Sequence, residues 1–577
     1  MLHRSVLVLL ALAAAVALGG CSSCGGEDDP GGETTDPVTA GGAMTPSEVT
    51  LGFAAQLPAD LPGLLVLRDW DAVLEEYRAL RPRLDAIIGS VGMVENDLRN
   101  TLGVDVNRSA SLDEIGISSA GGVAMTTIGE HPVVLLRLGD ADTFVAHVTE
   151  VAGGQPFNLR AEVETSQVGE ATLHVFRRRA GDRPRLAVAI RGDLAIIPPD
   201  ARHAEAVLEV MGSAPASPLS ENAAFVAALP SFDEWQIFGW IDATVVSARL
   251  AADESAAARL GEHVLNEIAR MGTTAVGFRL AADRIRATAL TQPHPELNDR
   301  VQALMDLEGE NPHFERLLGE DTYLFVRSTV ELDALLALLH EEGGSDASAR
   351  LRDLVRVGSE QLGMSVEDDL LPAIGPNMLI MATRARMLTL RRVLNAVSNE
   401  RMPAPGLVAT GFGIIVALQV TDRETVDRLF ETIVPLLEGR AERFEDDGNT
   451  IIAFTDEDAD IGNLVLTDDF LFLVPQRNRD DLLEQIASGS GSLEGVDDAA
   501  AHELVNAAAT NGAFIDLRAI LDGPIGAVAA PTLPDELRDA LANFDEVHVR
   551  AMPGEDGIRN DLTLVFSPLP DAEAADE

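Results

Sequence analysis

The chain has 577 residues, 46% of them hydrophobic and 4% aromatic, with 43 basic against 93 acidic residues and a net charge of −50. At roughly 150 residues per domain this allows several domains with ample cores, and such acidity disfavours nucleic-acid phosphates along the whole chain. Apart from histidine, every basic side chain is arginine, which excludes a Walker-A phosphate loop, a kinase-type phosphate lysine and a Schiff-base lysine.

In chain order, residues 1–20 have the plan of a signal peptide. His3 and Arg4 precede an apolar run from Ser5 to Leu18, too short to span a membrane, and small residues close it. The ending Leu18-Gly19-Gly20-Cys21 resembles the lipobox of bacterial lipoproteins. The resemblance implies a diacylglyceryl group on the Cys21 thiol, cleavage before it and acylation of the new amine. The expected localisation is therefore exported and lipid-anchored, and Ser22 in place of an aspartate leans toward the outer membrane. Both cysteines, Cys21 and Cys24, lie here, so the body has no thiol for a disulfide or for catalysis. Residues 21–48, rich in Gly, Thr, Pro and acid, read as a solvated tether.

The remainder reads as one α+β unit written twice, over 49–295 and 312–567, with an acidic tail at 568–577. Arg68 pairs with Arg327, Met125 with Met381, Asp140 with Asp422, Asp193 with Asp469, Trp240-Ile241-Asp242 with Phe514-Ile515-Asp516, and Ile285 with Ile558. Each copy is expected to open with a strand (64–68; 323–327) and a helix (71–80; 331–342), with Pro82 interrupting the first helix. Two strands follow (123–128 and 133–138 in the first copy). The next helix is marked in the second copy by a capping-box spacing, Thr421 to Glu424. Hairpin-linked strands at 440–444, 450–454, 463–467 and 470–474 come next, and a last hairpin at 547–550 and 558–566 closes the unit. The expected fold class is α+β: two tandem repeats, each an antiparallel-rich sheet with helices packed on one face. The opening Gln56-Leu57-Pro58-Ala59-Asp60, the Asn222-Ala-Ala-Phe225 helix start and the W/F-I-D strand resemble an uncharacterised family of bacterial secreted proteins and lipoproteins with duplicated α+β halves. The resemblance implies no activity.

Few residues carry chemistry. The histidines are scattered and make no H-E-x-x-H, so no metal or cofactor is expected. Residues 455–460 place carboxylates like the start of a calcium loop but lack its glycine and final glutamate. No G-x-S-x-G elbow occurs. Asp242 and Asp516 read as helix N-caps rather than twin acids, and Arg68 and Arg327 as partners of local carboxylates. The second copy carries a basic insertion at about 384–409, where Arg384, Arg386, Arg391 and Arg392 interleave with apolar residues. They are a candidate surface for anionic lipid or an acidic partner. The expected role is a non-enzymatic binding or structural module, held to the membrane through Cys21 and meeting an envelope protein. A carrier of a lipid-like ligand and a carboxylate-dependent hydrolase are the alternatives.

Overall fold

Short apolar runs bounded by turn residues form strands here, and longer runs of helical period form helices. The structure, a computed structural model, describes residues 45–567 apart from 89–110, 154–160, 296–313, 337–343, 399–404, 455–461, 489–503, 505–510, 530–537 and shorter stretches. The chain divides into two compact units between His294 and Pro295.

The first unit begins with α1 (Pro46–Ala54). Thr45 and Glu48 form a reciprocal capping box at its start, and Pro46 takes the first helical turn. Ten strands follow: β1 (Gly63–Leu67), β2 (Val123–Ile128), β3 (His131–Arg137), β4 (Glu162–Val168), β5 (Ala171–Arg177), β6 (Leu186–Arg191), β7 (Leu194–Ile197), β8 (Ile237–Asp242), β9 (Thr273–Leu280) and β10 (Arg284–Gln292). Between them lie α2 (Trp70–Ile88), α3 (Ala141–Gly153), α4 (Ala204–Met211), α5 (Ala223–Ala228), α6 (Ala243–Ala252) and α7 (Glu254–Arg270). All pairings are antiparallel, in the order β4-β5-β6-β7-β3-β2-β1-β8-β9-β10.

The second unit has β11 (Thr322–Thr329), α8 (Gly344–Leu362), β12 (Ile374–Thr383), α9 (Met387–Ser398), α10 (Pro405–Phe412), β13 (Ile414–Val420) and α11 (Arg423–Leu436). Then come β14 (Ala441–Asp446), β15 (Asn449–Phe454), β16 (Asn463–Leu466), β17 (Phe470–Val474), α12 (Arg479–Ser488), β18 (Asn511–Asp516), α13 (Leu517–Asp522), α14 (Pro524–Ala529), β19 (Phe544–Gly554) and β20 (Gly557–Phe566). Its order is β14-β15-β16-β17-β13-β12-β11-β18-β19-β20, again antiparallel throughout. The α+β class is therefore observed, with extensive antiparallel sheet.

Three expectations are corrected. Helices cover both faces of the sheet, not one. In the first unit Leu64, Val66, Leu135 and Ile196 pack with Phe53 of α1 and Val207 of α4. Leu136, Val188, Ala195 and Ile197, which point the other way, pack with Leu74 of α2 and Phe144 and Val148 of α3. The second unit repeats this, with Ile451 in one cluster and Ile452 in the other. The cause is visible in β7, whose four residues are all buried: an unbroken apolar strand needs cover on both sides. Second, α2 runs through Pro82 without ending; Leu80 just before it and Arg83 just after it are both buried, so packing holds the helix across the proline. Third, the cap of α11 is Asp422, whose carboxylate accepts from the Glu424 and Thr425 amides, while the Thr421 hydroxyl donates to the Pro372 carbonyl. The segment expected as a helix at 331–342 falls largely outside the described residues.

Arginines fasten α1 to the sheet. Arg68 is 2% exposed. Its Nε donates to the Thr50 hydroxyl at 2.7 Å, its Nη1 to the Phe232 carbonyl, and its Cζ lies 4.7 Å from the Phe238 ring centre. Arg137 donates to the Gly52 carbonyl at 2.6 Å and to Asp193, and Arg191 donates to both the carbonyl and side-chain oxygens of Gln56. Two of these carbonyls lie at or just past the C-terminal end of α1, where a helix leaves acceptors unsatisfied.

Candidate functional site

The basic insertion is a helical hairpin between β12 and β13. Its base is closed by backbone bonds from Thr383 to the Gly413 carbonyl (3.1 Å) and from Arg386 to the Gly411 carbonyl (2.9 Å). Thr389, Leu390 and Val393 of α9 are buried. A Cβ at Gly411 of α10 would lie 3.5 Å from both Leu390 Cδ2 and Val393 Cγ2, an ordinary contact distance, which places α10 against this side of α9. The Tyr323 hydroxyl of β11 donates to the Phe412 carbonyl, and burial pushes its pKa up. On the other side of α9, Arg391 and Arg392 are exposed and Met387 is 38% exposed. Helical spacing explains this split: Met387 and Arg391 are four apart and share a face, Thr389 and Val393, also four apart, fall on the opposite one, and Leu390 lies at the border. Of the four arginines singled out by sequence, Arg386, Arg391 and Arg392 are therefore brought onto one helix and its first turn. Arg384 and the lipobox cysteine Cys21 lie outside the described residues, as does the acidic stretch 455–460.

The repeated arginines serve the core. Burial lowers the pKa of Arg68 to about 10, with Asp233 acting the other way, so the guanidinium is a permanent interior cation at neutral pH. Its direct partners are a hydroxyl, a carbonyl and a ring face rather than the carboxylate expected from sequence. Arg327 is 1% exposed, with its Cζ 5.7 Å from the Phe314 ring centre. Asp242 accepts from the Thr244 and Val245 amides at 2.9 and 3.2 Å, and Asp516 accepts from the Ala519 amide at 2.7 Å. Both are helix N-caps, of α6 and α13.

One arrangement was not legible in the sequence. The imidazoles of His131, at the start of β3, and His203, just before α4, stack with ring centres 4.0 Å apart and planes 19° apart. They line an open cleft of about 480 Å³ with Glu130, Pro132, Pro184, Arg185, Asp200 and Ala201. Asp200 is held well below the usual carboxylate range by hydrogen bonds from the Arg202 side chain and amide. Charged side chains and imidazoles line it beside two prolines and an alanine, and it is open, unlike the enclosed apolar cavity a lipid-like ligand requires. Glu-His and Asp-x-x-His are common pairings in an acidic chain, so no local signal marked these two histidines as neighbours. Among the described residues no group of three or more metal-binding side chains is placed to hold an ion, and no described helix is long and apolar enough to cross a membrane.

The comparisons add no identity. No family model matches the chain. No curated protein matches it either. Among solved structures, the chain described as "Structure of crystal form I of TP0453" aligns over 44% of this chain and 85% of its own at 8% identity. Its TM-score is 0.21, a likeness too slight to carry fold or function.

Proposed function

We propose that this is an exported, lipid-anchored envelope protein whose body is a non-enzymatic binding module. The observation that carries the reading is the run from His3 to Cys21, a positive start, a short apolar core and Leu-Gly-Gly-Cys. Support comes from what the conspicuous polar residues do. Asp242 and Asp516 cap helices, and Arg68 is enclosed by Thr50, Phe232 and Phe238. Residues that a hydrolase reading would enlist are thus committed to structure. Neither the carrier nor the hydrolase reading gains a specific observation.

We also infer that the body is a duplicated unit. Supporting this, the two strand orders coincide element for element. Gly139 and Asp140 donate backbone bonds to the Gly116 carbonyl, and Thr421 and Asp422 donate to the Ala373 carbonyl. Leu138 donates to Asp193 and Val420 to Asp469, each at 2.8 Å. The match of Met125 with Met381 needs shifting by one residue: Val66 faces Ala124, and Phe325 faces Met381. A slip of one would put a buried side chain on the opposite face. Membership of the uncharacterised secreted family belongs to the same proposal.

The test is fractionation of cells expressing the wild type and Cys21→Ala. The wild type is expected in the membrane fraction with an acyl-modified N-terminal peptide by mass spectrometry, and the variant in the soluble fraction. Equal membrane retention of both would overturn the anchor. Crosslinking in intact cells should recover a stoichiometric protein partner, whereas turnover of a substrate by the purified protein would overturn the non-enzymatic reading.

A further inference from the structure

The α9 ridge combines features rare in so acidic a chain. Arg386, Arg391 and Arg392 stand within two helical turns beside exposed Met387. None of the three side chains has a hydrogen-bond or ion-pair partner among the described residues. Several other arginines of the second unit hold carboxylates: Arg356 holds Asp353 and Glu360, Arg423 holds Asp468, and Arg443 holds Asp427. With 93 acids against 43 bases, a cluster of guanidinium groups without acidic partners among the described residues stands out. The hairpin also interrupts a position that the first unit spans with a two-residue turn at 129–130.

We propose that this ridge docks an acidic, extended segment of a partner protein. The guanidinium forks of Arg386, Arg391 and Arg392 receive its carboxylates, and Met387 receives an apolar side chain between them. This deepens the binding-module reading and rests on it. Planar guanidinium groups pair with carboxylates through two parallel bonds, which gives the contact direction as well as strength. Thioether flexibility suits Met387 to an adaptable apolar contact. A membrane surface fits less well. An interfacial helix lays its apolar face into lipid, but α9 spends that face on α10, with Leu390 and Val393 buried. At physiological salt the field of the body is screened beyond about 8 Å, so short-range contacts at the ridge govern peptide binding.

The experiment uses the full chain carrying Cys21→Ala, which keeps the ridge and removes the anchor. The probe is a fluorescein-labelled twelve-residue peptide of alternating Glu and Leu, followed by anisotropy at 0.15 M salt. Saturable binding is expected. It should weaken at least tenfold in Arg391→Gln/Arg392→Gln and vanish when the peptide carries Gln in place of Glu. Both substituted arginines are exposed, so an unchanged melting curve is expected and controls for folding. Arg356→Gln, at a guanidinium already engaged, should leave peptide affinity as in the parent. Equal affinity in the double variant overturns the proposal. So does co-sedimentation with phosphatidylglycerol vesicles, lost in the double variant, in the absence of peptide binding. If the peptide fails to bind while Cys21-dependent membrane attachment persists, the ridge assignment falls and the anchored-module reading stands.

Discussion

The two units differ most sharply at one connection. Between β2 and β3 the first unit makes a two-residue turn, with His131 at its exit stacked on His203. At the same place in the strand order, the second unit carries α9 and α10 across residues 384–413. The flanking pairings are antiparallel in both, and the loop after the second strand returns to the same carbonyl position, Gly116 or Ala373. A sheet whose register is set by buried alternation tolerates a large change at a hairpin end, because the loop adds surface without shifting any inward side chain. The lesson is that the strand order and the surface added at a hairpin end are separable in this chain.

Breaking what the first unit relies on gives the largest expected effect. Thr50→Val removes the acceptor of a buried, charged Arg68 donor and should cost about 2–3 kcal/mol. Adding Arg68→Met should recover part of that loss, since the unpaired charge goes with it. Urea unfolding followed by tryptophan fluorescence reads this directly, because Trp70, Trp235 and Trp240 all lie in the first unit. Additive losses in the double variant would refute the coupling.

Next is the carbonyl position itself. Gly116 has φ +82°, and a Cβ there would lie 2.3 Å from the Asp140 carbonyl oxygen. Gly116→Ala should therefore cost about 2 kcal/mol by the same measurement, whereas Ala373→Gly should cost about 1 kcal/mol at most, followed by calorimetry. Replacing 384–413 by Asn-Gly tests separability. The β12–β13 pairing should survive, with a loss of about 1–2 kcal/mol from the orphaned Tyr323 hydroxyl, seen as a modest drop in calorimetric midpoint. Loss of cooperative unfolding would show that the hairpin is integral to the second unit. Smaller still, Asp242→Ala and Asp516→Ala should each cost about 1 kcal/mol, with no change in peptide binding.

The smallest effect is electrostatic. Hydrogen bonds from Thr143 lower the Asp140 pKa, and those from Thr425 lower that of Asp422. A depressed carboxyl pKa contributes stability at pH values above the unfolded value of about 3.9. That contribution is lost as pH falls through the lower folded value. Carboxyl carbon shifts followed by NMR should show both groups titrating below a model peptide; titration at the model value would break this part of the likeness between the units.

Periodicity made much of this architecture legible. Phe470–Val474 and Val123–Ile128 were readable to the residue because each is an apolar run between turn-forming residues. The caps at Asp242 and Asp516 followed from an apolar strand running into a helix. Where reading failed, tertiary packing outweighed a local rule. Pro82 did not break α2, and doubly buried strands such as β7 demanded a second helical layer that alternation alone does not announce. The direct partners of Arg68 come from residues 50 and 232, a separation no local pattern encodes. For the candidate surface, sequence singled out the arginines and the amphipathic spacing. Which side of α9 is spent internally depended on Leu390 and Val393 meeting α10 near Gly411, a contact no local pattern encodes.

The arginine fastenings of α1 also have a mechanical consequence. Arg68, Arg137 and Arg191 engage Thr50, Gly52 and Gln56, three successive points along one short helix and its exit. Tension applied at Thr45 therefore loads several bonds together in shear instead of peeling them one at a time. Load applied there would pass into the sheet through three guanidinium groups.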